Sequence, residues 1–333
     1  MEYTTLGSTG IEVSRLCLGC MSFGDPEWRG WVKGEAFGHE LVERARELGI
    51  NFFDTANMYS RGESERILGE ALEGHREESV VATKVFFPMR EGDPNSGGLS
   101  RKTIDQELSN SLDRLGMDAV DLYQIHRWDY DTPVEETLRA LTDAVRRGQV
   151  RHVGASSMWA HQLAEALHTS DRLGLERFAT MQNHYNLAYR EEEREVLPLC
   201  EREGLGVVPW SPMARGYLTR PHEEYMSTKR AETDDYAQEH PYADNGGREI
   251  NERVEELAAD RGVSNTWRTP SRPSRSISPS LTSSTSRRPT GRSRCPVTNR
   301  YRAVLGAGGH CAVWPPGRRG VQLSGCPVYC VPV

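Results

Sequence analysis

The chain lacks the features that mark membrane, exported and disulfide-stabilised proteins. No run of apolar residues approaches the roughly 18 that a membrane span requires, and the first residues form neither a basic nor an apolar export segment. Before residue 265 the only cysteines are Cys17, Cys20 and Cys200, which is too few for a disulfide framework. We therefore predict a cytoplasmic protein that does not span a membrane.

A second absence is confined to the C-terminal part of the chain. Residues 265–333 contain 11 arginines but no lysine, aspartate or glutamate, and they hold nine of the 18 prolines and four of the seven cysteines. Of the 41 basic residues, 30 therefore lie in residues 1–264, together with all 48 acidic residues. The overall charge of −7 thus combines −18 in residues 1–264 with +11 in the tail.

Residues 1–264 also lack several common ligand-binding patterns. A charge of −18 argues against nucleic acid as a partner. No G-x-G-x-x-G run follows the first strand-like segment, and the phosphate loop G-x-x-x-x-G-K-[ST] is missing. Cys17 and Cys20 have C-x-x-C spacing, but in a strand they face opposite ways, so we interpret them as separate core thiols and predict no metal site.

Short apolar runs alternate with helix-like stretches along residues 1–264. The strand-like runs are 16–23, 51–56, 80–85, 120–126, 150–156, 178–185 and 205–211. Helical periodicity marks 40–48, 64–72, 100–115, 133–147, 160–173 and 191–203. Seven such βα steps favour an α/β fold of the (β/α)8 TIM-barrel type over a doubly wound sheet, with residues 3–14 as an N-terminal β-hairpin.

Ionisable residues stand at the ends of three successive strands. Asp54, Lys84 and His126 each follow an apolar run, and Tyr59 comes soon after Asp54. The C-terminal strand ends are where barrel enzymes carry their chemistry. A lysine can lower the pKa of a nearby tyrosine, so these residues suit proton donation to a carbonyl oxygen. Taken singly, they could equally be a structural ion pair, a core histidine and a loop aromatic.

The same residues carry a family resemblance. Over about residues 3–264 the chain resembles the aldo-keto reductases, in particular the prokaryotic reductases related to potassium-channel β-subunits. The matching segments are TLGSTGIEVSRL (5–16), NFFDTANMY (51–59), ATK (82–84), LSNSLDRLGMDAVDLYQIH (108–126), MQNHYN (181–186) and PWSPMARGYL (209–218). The resemblance implies a catalytic tetrad of Asp54, Tyr59, Lys84 and His126, with Tyr59 as general acid and hydride supplied by NADP(H).

The resemblance also implies ligands for the cofactor and the substrate. The cofactor residues it implies are Ser156 and Gln182 for the carboxamide, Trp210 against the nicotinamide ring, and Ser211, Met213, Arg215 and Gly216 around the pyrophosphate. Where the family commonly has Asn after that serine, this chain has Ser157. Met21 and Trp128 are expected to line the substrate pocket, with a core or loop position as the alternative for each.

The resemblance stops near Ser264. The expected helix, eighth strand and 2′-phosphate segment are not recognisable, so we predict that the eighth βα unit is missing or replaced by a disordered basic tail, 265–333. The tail could be a nucleic-acid-binding arm, or a metal site built from Cys295, His310, Cys311, Cys326 and Cys330. Its abrupt loss of acidic residues favours a third interpretation, translation in a shifted reading frame.

The favoured function is NADPH-dependent reduction of aldehydes or ketones to alcohols, with a small-molecule carbonyl compound as the partner. Two alternatives stay open at this point. One is a regulatory subunit that senses the nicotinamide cofactor with little turnover, and the other is a reductase inactivated by the frameshift. The sequence predicts neither the physiological substrate nor the oligomeric state.

Overall fold

A computed structural model describes residues 1–261 and two short strands in the tail. The chain begins with a β-hairpin in which β1 (Tyr3–Thr5) pairs antiparallel with β2 (Glu12–Ser14). The hairpin packs Leu6 and Val13 into a small apolar cluster with residues from the inner side of the main sheet. The hairpin itself agrees with the sequence prediction, and its packing shows that it covers the N-terminal end of that sheet.

The main sheet contains seven parallel strands that are neighbours in the order of the chain. They are β3 (Cys17–Gly19), β4 (Phe52–Asp54), β5 (Val80–Val85), β6 (Val120–Ile125), β7 (Val150–Ser156), β8 (Phe178–Gln182) and β9 (Gly206–Val207). A doubly wound sheet would reverse its strand order at a switch point. The uninterrupted order instead gives a curled half-barrel, which confirms the TIM-barrel type of α/β fold.

Helices cover the outer face of the sheet. They are α1 (Glu35–Glu47), α2 (Glu63–Ala71), α3 (Arg101–Leu115), α4 (Val134–Arg146), α5 (Ala160–Leu173) and α6 (Val196–Glu203). Their buried apolar residues form one large cluster with the outward-facing residues of the strands. Cys20 belongs to this outer cluster and Cys17 to the inner one, and both are free thiols, as the strand alternation predicts.

The segment after β9 contains three short helices before the last long one. The short helices are α7 (His222–Met226), α8 (Lys229–Thr233) and α9 (Asp235–Glu239), and the last long helix is α10 (Gly247–Asp260). Tyr217, Tyr225 and Tyr242 are buried together in a third apolar cluster, which gives this segment its own small core. The sequence pattern marks no helix between residues 211 and 248, because five-residue helices are too short to show a periodicity.

Among the residues that the structure describes, the sheet has seven strands. The predicted loss of the eighth βα unit concerns residues outside the described part and stays a prediction. Tyr301–Arg302 and Val321–Gln322 form a separate parallel pair, β10 and β11. The predictions made for the rest of the tail, including the five-residue Cys/His set, lie outside the described residues. None of the helices in the described part is long and apolar enough to cross a membrane.

Candidate active site

The alternation of the strands aims a set of polar side chains into the sheet interior. Phe52, Ala82 and Leu122 pack into the inner cluster, and two residues further along each strand come Asp54, Lys84 and Gln124. The parallel register places these strands side by side at their C-terminal ends. The polar residues therefore form one layer directly above the apolar interior.

Lys84 lies at the centre of this layer and is completely buried. Its ammonium donates to Asp54 Oδ2 at 2.6 Å, to the carbonyl oxygen of Thr55 at 2.8 Å and to Tyr59 Oη at 3.3 Å. Three partners use all three donors of an ammonium group. The buried charge is thus both paired with a carboxylate and fully hydrogen-bonded, and a phenol is one of its partners.

A strained turn brings Tyr59 to this position. Ser60 and Arg61, the next two residues, adopt left-handed backbone conformations with φ of 49° and 55°. Such conformations cost non-glycine residues energy and are concentrated at functional sites. The Tyr59 ring lies edge-on to the His126 ring, with 5.8 Å between the ring centroids. The structure thereby brings all four predicted catalytic residues together.

The surroundings set the protonation of the three titratable groups beside Asp54. Burial lowers the pKa of Lys84, but the interactions with Asp54 and Tyr59 outweigh the effect of burial. The pKa of Lys84 is therefore raised above its ordinary value. Burial raises the pKa of Tyr59, and Lys84 opposes this only in part. Burial, reinforced by Lys84 and Arg127, holds the pKa of His126 well below its ordinary value. At neutral pH the group therefore has a charged ammonium, a protonated phenol and a neutral imidazole.

Two glutamine amides hold the other oxygen of Asp54. Gln124 Nε2 donates to Asp54 Oδ1 at 2.8 Å, and Gln182 Nε2 donates to the same oxygen at 3.1 Å. Gln182 is one of the predicted cofactor ligands, and in this structure its amide lies inside the Asp54 cluster. Gln124 is not among the predicted site residues, although it lies two residues after Leu122 in β6 and therefore faces the same side of the sheet.

A hydrogen bond and a stacked ring fix the position of Trp210, the predicted ring-stacking residue. Its Nε1 donates to Ser157 Oγ at 3.1 Å, and Ser157 Oγ lies 3.1 Å from Ser156 Oγ. His184 stacks between Trp210 and Tyr189, with 4.2 Å between ring centroids on each side. Burial lowers the pKa of His184 to about 3, so this ring packs as a neutral aromatic. The sequence analysis missed His184, which lies two residues after Gln182.

The predicted pyrophosphate residues form a tight turn after β9. Ser211, Arg215 and Gly216 have φ of 53°, 54° and 93°, which closes the turn. Arg215 donates to Asp234 Oδ2, and Arg230 donates to the same oxygen at 3.1 Å. The sequence analysis did not identify this carboxylate partner, because Asp234 is one of several acidic residues in a variable segment.

A cleft of about 290 Å³ opens beside this turn. Met213, Arg215, Gly216 and Arg230 line one wall, and residues of β3 and α1 line the other. Within the described residues, Arg215 Nε and Arg230 Nη2 are buried without a hydrogen-bond acceptor. Unused guanidinium donors at a cleft wall favour an anionic ligand.

The two predicted substrate-pocket residues take different places. Met21 is half-buried just after β3, at the C-terminal edge of the sheet. Trp128 is also half-buried, but it packs against the apolar cluster between the sheet and its helices. These positions leave the substrate-pocket role of Met21 and Trp128 a prediction.

A possible metal-ligand group lies away from the strand ends. Potential ligand atoms of Glu35, His39 and Glu70 lie within 4.8 Å of one another. Arg66 already donates to Glu35 at 2.8 Å and to Glu70 at 2.7 Å. These carboxylates are thus used in a surface ion-pair network.

The half-barrel carries a buried lysine, carboxylate and phenol at its C-terminal strand ends, where enzymes of the TIM-barrel class place their chemistry. The sequence pattern described as "Aldo/keto reductase family" matches residues 15–266. This match covers well over half of the chain. The chain belongs to the aldo/keto reductase family.

Curated relatives agree with this assignment. The aldo-keto reductase AMT2 of Alternaria alternata is 42% identical over 286 residues, which cover 78% of this chain and 77% of that protein. The versiconal hemiacetal acetate reductase of Aspergillus parasiticus is 42% identical over 289 residues, or 79% and 82% of the two chains. A putative aryl-alcohol dehydrogenase of Schizosaccharomyces pombe is 41% identical over 287 residues, or 79% and 81%. The chain is therefore an oxidoreductase of carbonyl groups with a small-molecule substrate.

Proposed function

We propose that the protein reduces aldehydes or ketones to alcohols with NADPH, and that Tyr59 is the proton donor. The observation that carries this proposal is the buried hydrogen bond from Lys84 Nζ to Tyr59 Oη. It joins a phenol that remains protonated at neutral pH to a charge that stabilises the phenolate left after proton transfer. A phenol placed in this way is suited to general acid catalysis.

Each of the other residues supports that proton transfer. Asp54 keeps Lys84 charged and in place through the 2.6 Å ion pair. The neutral imidazole of His126 has one N–H donor, which can orient a carbonyl oxygen towards Tyr59. Tyr59 then donates its proton to that oxygen as the carbonyl carbon is reduced. The covered N-terminal end of the sheet leaves the C-terminal edge as the route for the substrate.

The residues along the cleft fit a nicotinamide dinucleotide. The unused donors of Arg215 and Arg230 fit a pyrophosphate or phosphate group, and Trp210 presents a fixed indole for ring stacking. Ser156 and Ser157 offer hydroxyl groups next to that indole. When bound, the cofactor supplies the hydride. We propose NADPH because it is the nicotinamide cofactor that aldo-keto reductases usually use.

Two further parts of the proposal concern the alternatives and the location. The relatives are named as reductases and dehydrogenases. Their names favour an enzyme over the regulatory subunit and the inactivated reductase. Cys17 and Cys20 are free thiols, which fits a reducing compartment such as the cytoplasm.

Replacement of the phenol tests the proposal. We expect the full chain to oxidise NADPH with a panel of aromatic and aliphatic aldehydes, and we expect Tyr59→Phe to lower kcat by about 10²- to 10⁴-fold because the proton donor is lost. Tyr3→Phe is the matched control, since Tyr3 lies half-exposed in the hairpin at the other end of the sheet. Tryptophan quenching by NADPH reports whether each variant still binds the cofactor. Equal kcat in Tyr59→Phe and Tyr3→Phe would rule out Tyr59 as the acid.

A further inference from the structure

Arg127 lies directly beside the candidate catalytic residues. It follows His126, and its Nη1 donates to the His126 carbonyl oxygen at 2.8 Å. Its guanidinium carbon lies 5.5 Å from the centroid of the Phe87 ring, and that ring lies 5.0 Å from the His126 ring, edge-on. The guanidinium is thus part of the wall that His126, Phe87 and Tyr59 form at the C-terminal edge of the sheet.

The charge of Arg127 is not balanced by a carboxylate. Among the residues that the structure describes, no aspartate or glutamate lies within ion-pair distance of it. A guanidinium has five N–H donors, and the hydrogen bond to His126 uses one of them. Burial and the positive charge of Arg215 lower the pKa of Arg127, whereas Tyr59 and Tyr236 raise it. An arginine remains charged even so.

Other arginines in protected positions of this chain have carboxylate partners. Arg114 donates to the buried Glu65 at 2.7 Å, and Arg215 donates to the buried Asp234. A partly desolvated charge without a carboxylate partner is costly. Binding of an anionic ligand would offset that cost. Arg127 differs from these two arginines because it directly follows His126 and lies beside the proposed catalytic residues.

We propose that Arg127 binds an anionic group of the substrate, so that the enzyme prefers carbonyl compounds that carry a carboxylate. This inference rests on the proposed function, because it assumes that the carbonyl lies at Tyr59. Arginine suits the role because its planar donors match a carboxylate in a bidentate manner. The cofactor phosphates have separate donors in Arg215 and Arg230, which line the cleft, whereas Arg127 does not line it.

The test compares charged and neutral substrates of the same shape. The full chain is assayed with 3- and 4-formylbenzoate and with the methyl ester of each, at saturating NADPH. For the formylbenzoate whose carboxylate reaches Arg127, we expect a higher kcat/KM than for its methyl ester. In Arg127→Gln the acid-to-ester ratio should fall about 10- to 100-fold, because a charge-assisted hydrogen-bond pair is lost. Arg139→Gln is the matched control, since Arg139 is exposed on α4, and its ratio should equal that of the wild type.

The outcomes separate this inference from the proposed function. An acid-to-ester ratio that is the same in the wild type and in Arg127→Gln would overturn it. A raised KM for NADPH in Arg127→Gln with an unchanged ratio would make Arg127 a cofactor ligand and would also overturn it. If no aldehyde is reduced, the proposed function is wrong. Calorimetric titration of the wild type and of Arg127→Gln with benzoate then tests whether Arg127 binds a carboxylate. Tighter benzoate binding by the wild type than by Arg127→Gln supports it, and equal binding contradicts it.

Discussion

At the scale of a single residue, Lys84 is a buried charge whose partners keep it ionised and in contact with the proposed proton donor. Its ion pair with Asp54 offsets the cost of burial, and its third hydrogen bond reaches the Tyr59 phenol. The ammonium therefore stays charged where an unpaired lysine would lose its proton. The same burial keeps Tyr59 protonated until a substrate accepts the proton.

The pKa directions predict a characteristic pH profile. Reduction needs a protonated Tyr59, so kcat/KM is retained below the Tyr59 pKa and lost as the pH rises through it. That pKa is raised above the ordinary value of about 10. The pKa of His126 is well below its ordinary value, so this residue does not titrate near neutral pH.

We therefore expect kcat/KM to be flat from about pH 6 to about pH 9 and to fall above about pH 10. Initial rates with 4-formylbenzoate methyl ester, whose charge does not change with pH, measure this profile. Rates are corrected for the decay of NADPH in acid. A fall in kcat/KM centred between pH 7 and pH 8 would be inconsistent with the proton donor proposed here.

The candidate catalytic residues could be predicted from the sequence, whereas their supporting residues could not. Asp54, Lys84 and His126 stand out because charged and titratable groups are rare after apolar runs. Gln124 and His184 resemble ordinary strand residues until the packing shows their partners. Arg215 and Asp234 are 19 residues apart in the sequence, so their pairing depends on tertiary structure that no local pattern predicts.

At the scale of elements, the positions of the strands and helices follow from the sequence, but the lengths of the edge strands do not. The predictions for β5, β7 and α5 agree with the structure residue for residue. β3 and β9 are much shorter than the predicted runs 16–23 and 205–211. These two strands lie at the edges of the open sheet, where each has a neighbour on one side only.

Close packing of α2 on α3 gives a stability prediction. A Cβ at Gly69 would lie 2.2 Å from the carbonyl oxygen of Leu115, a backbone atom at the end of α3. Gly69→Ala should therefore lower the free energy of unfolding by about 1–3 kcal/mol through overpacking. Urea denaturation followed by circular dichroism measures the change.

Gly10→Ala is the matched control, because a Cβ at Gly10 has no heavy atom within 4 Å. We expect that variant to remain within about 0.5 kcal/mol of the wild type. If Gly69→Ala proves as stable as Gly10→Ala, the two helices do not pack as closely as described.

At the scale of the whole molecule, the charge of the chain changes close to the residue where the family match ends. The acidic part, residues 1–264, contains the half-barrel, and the family match ends at residue 266. A net charge of −18 repels anions at a distance, so the arginines at the strand ends provide local positive sites within an acidic protein. The abrupt change of composition predicts a domain boundary near residue 264, and both that boundary and the shifted reading frame stay predictions.

Direct hydride transfer is the measurement that tests the proposed function most simply. The full chain is incubated with an aldehyde and NADPH that carries deuterium at C4 of the nicotinamide, in separate reactions for each face of the ring. Mass spectrometry of the alcohol then locates the label. Carbonyl reduction predicts alcohol with deuterium on its carbinol carbon from one of the two labelled cofactors. Failure to form alcohol, or alcohol without deuterium from either cofactor, would contradict it.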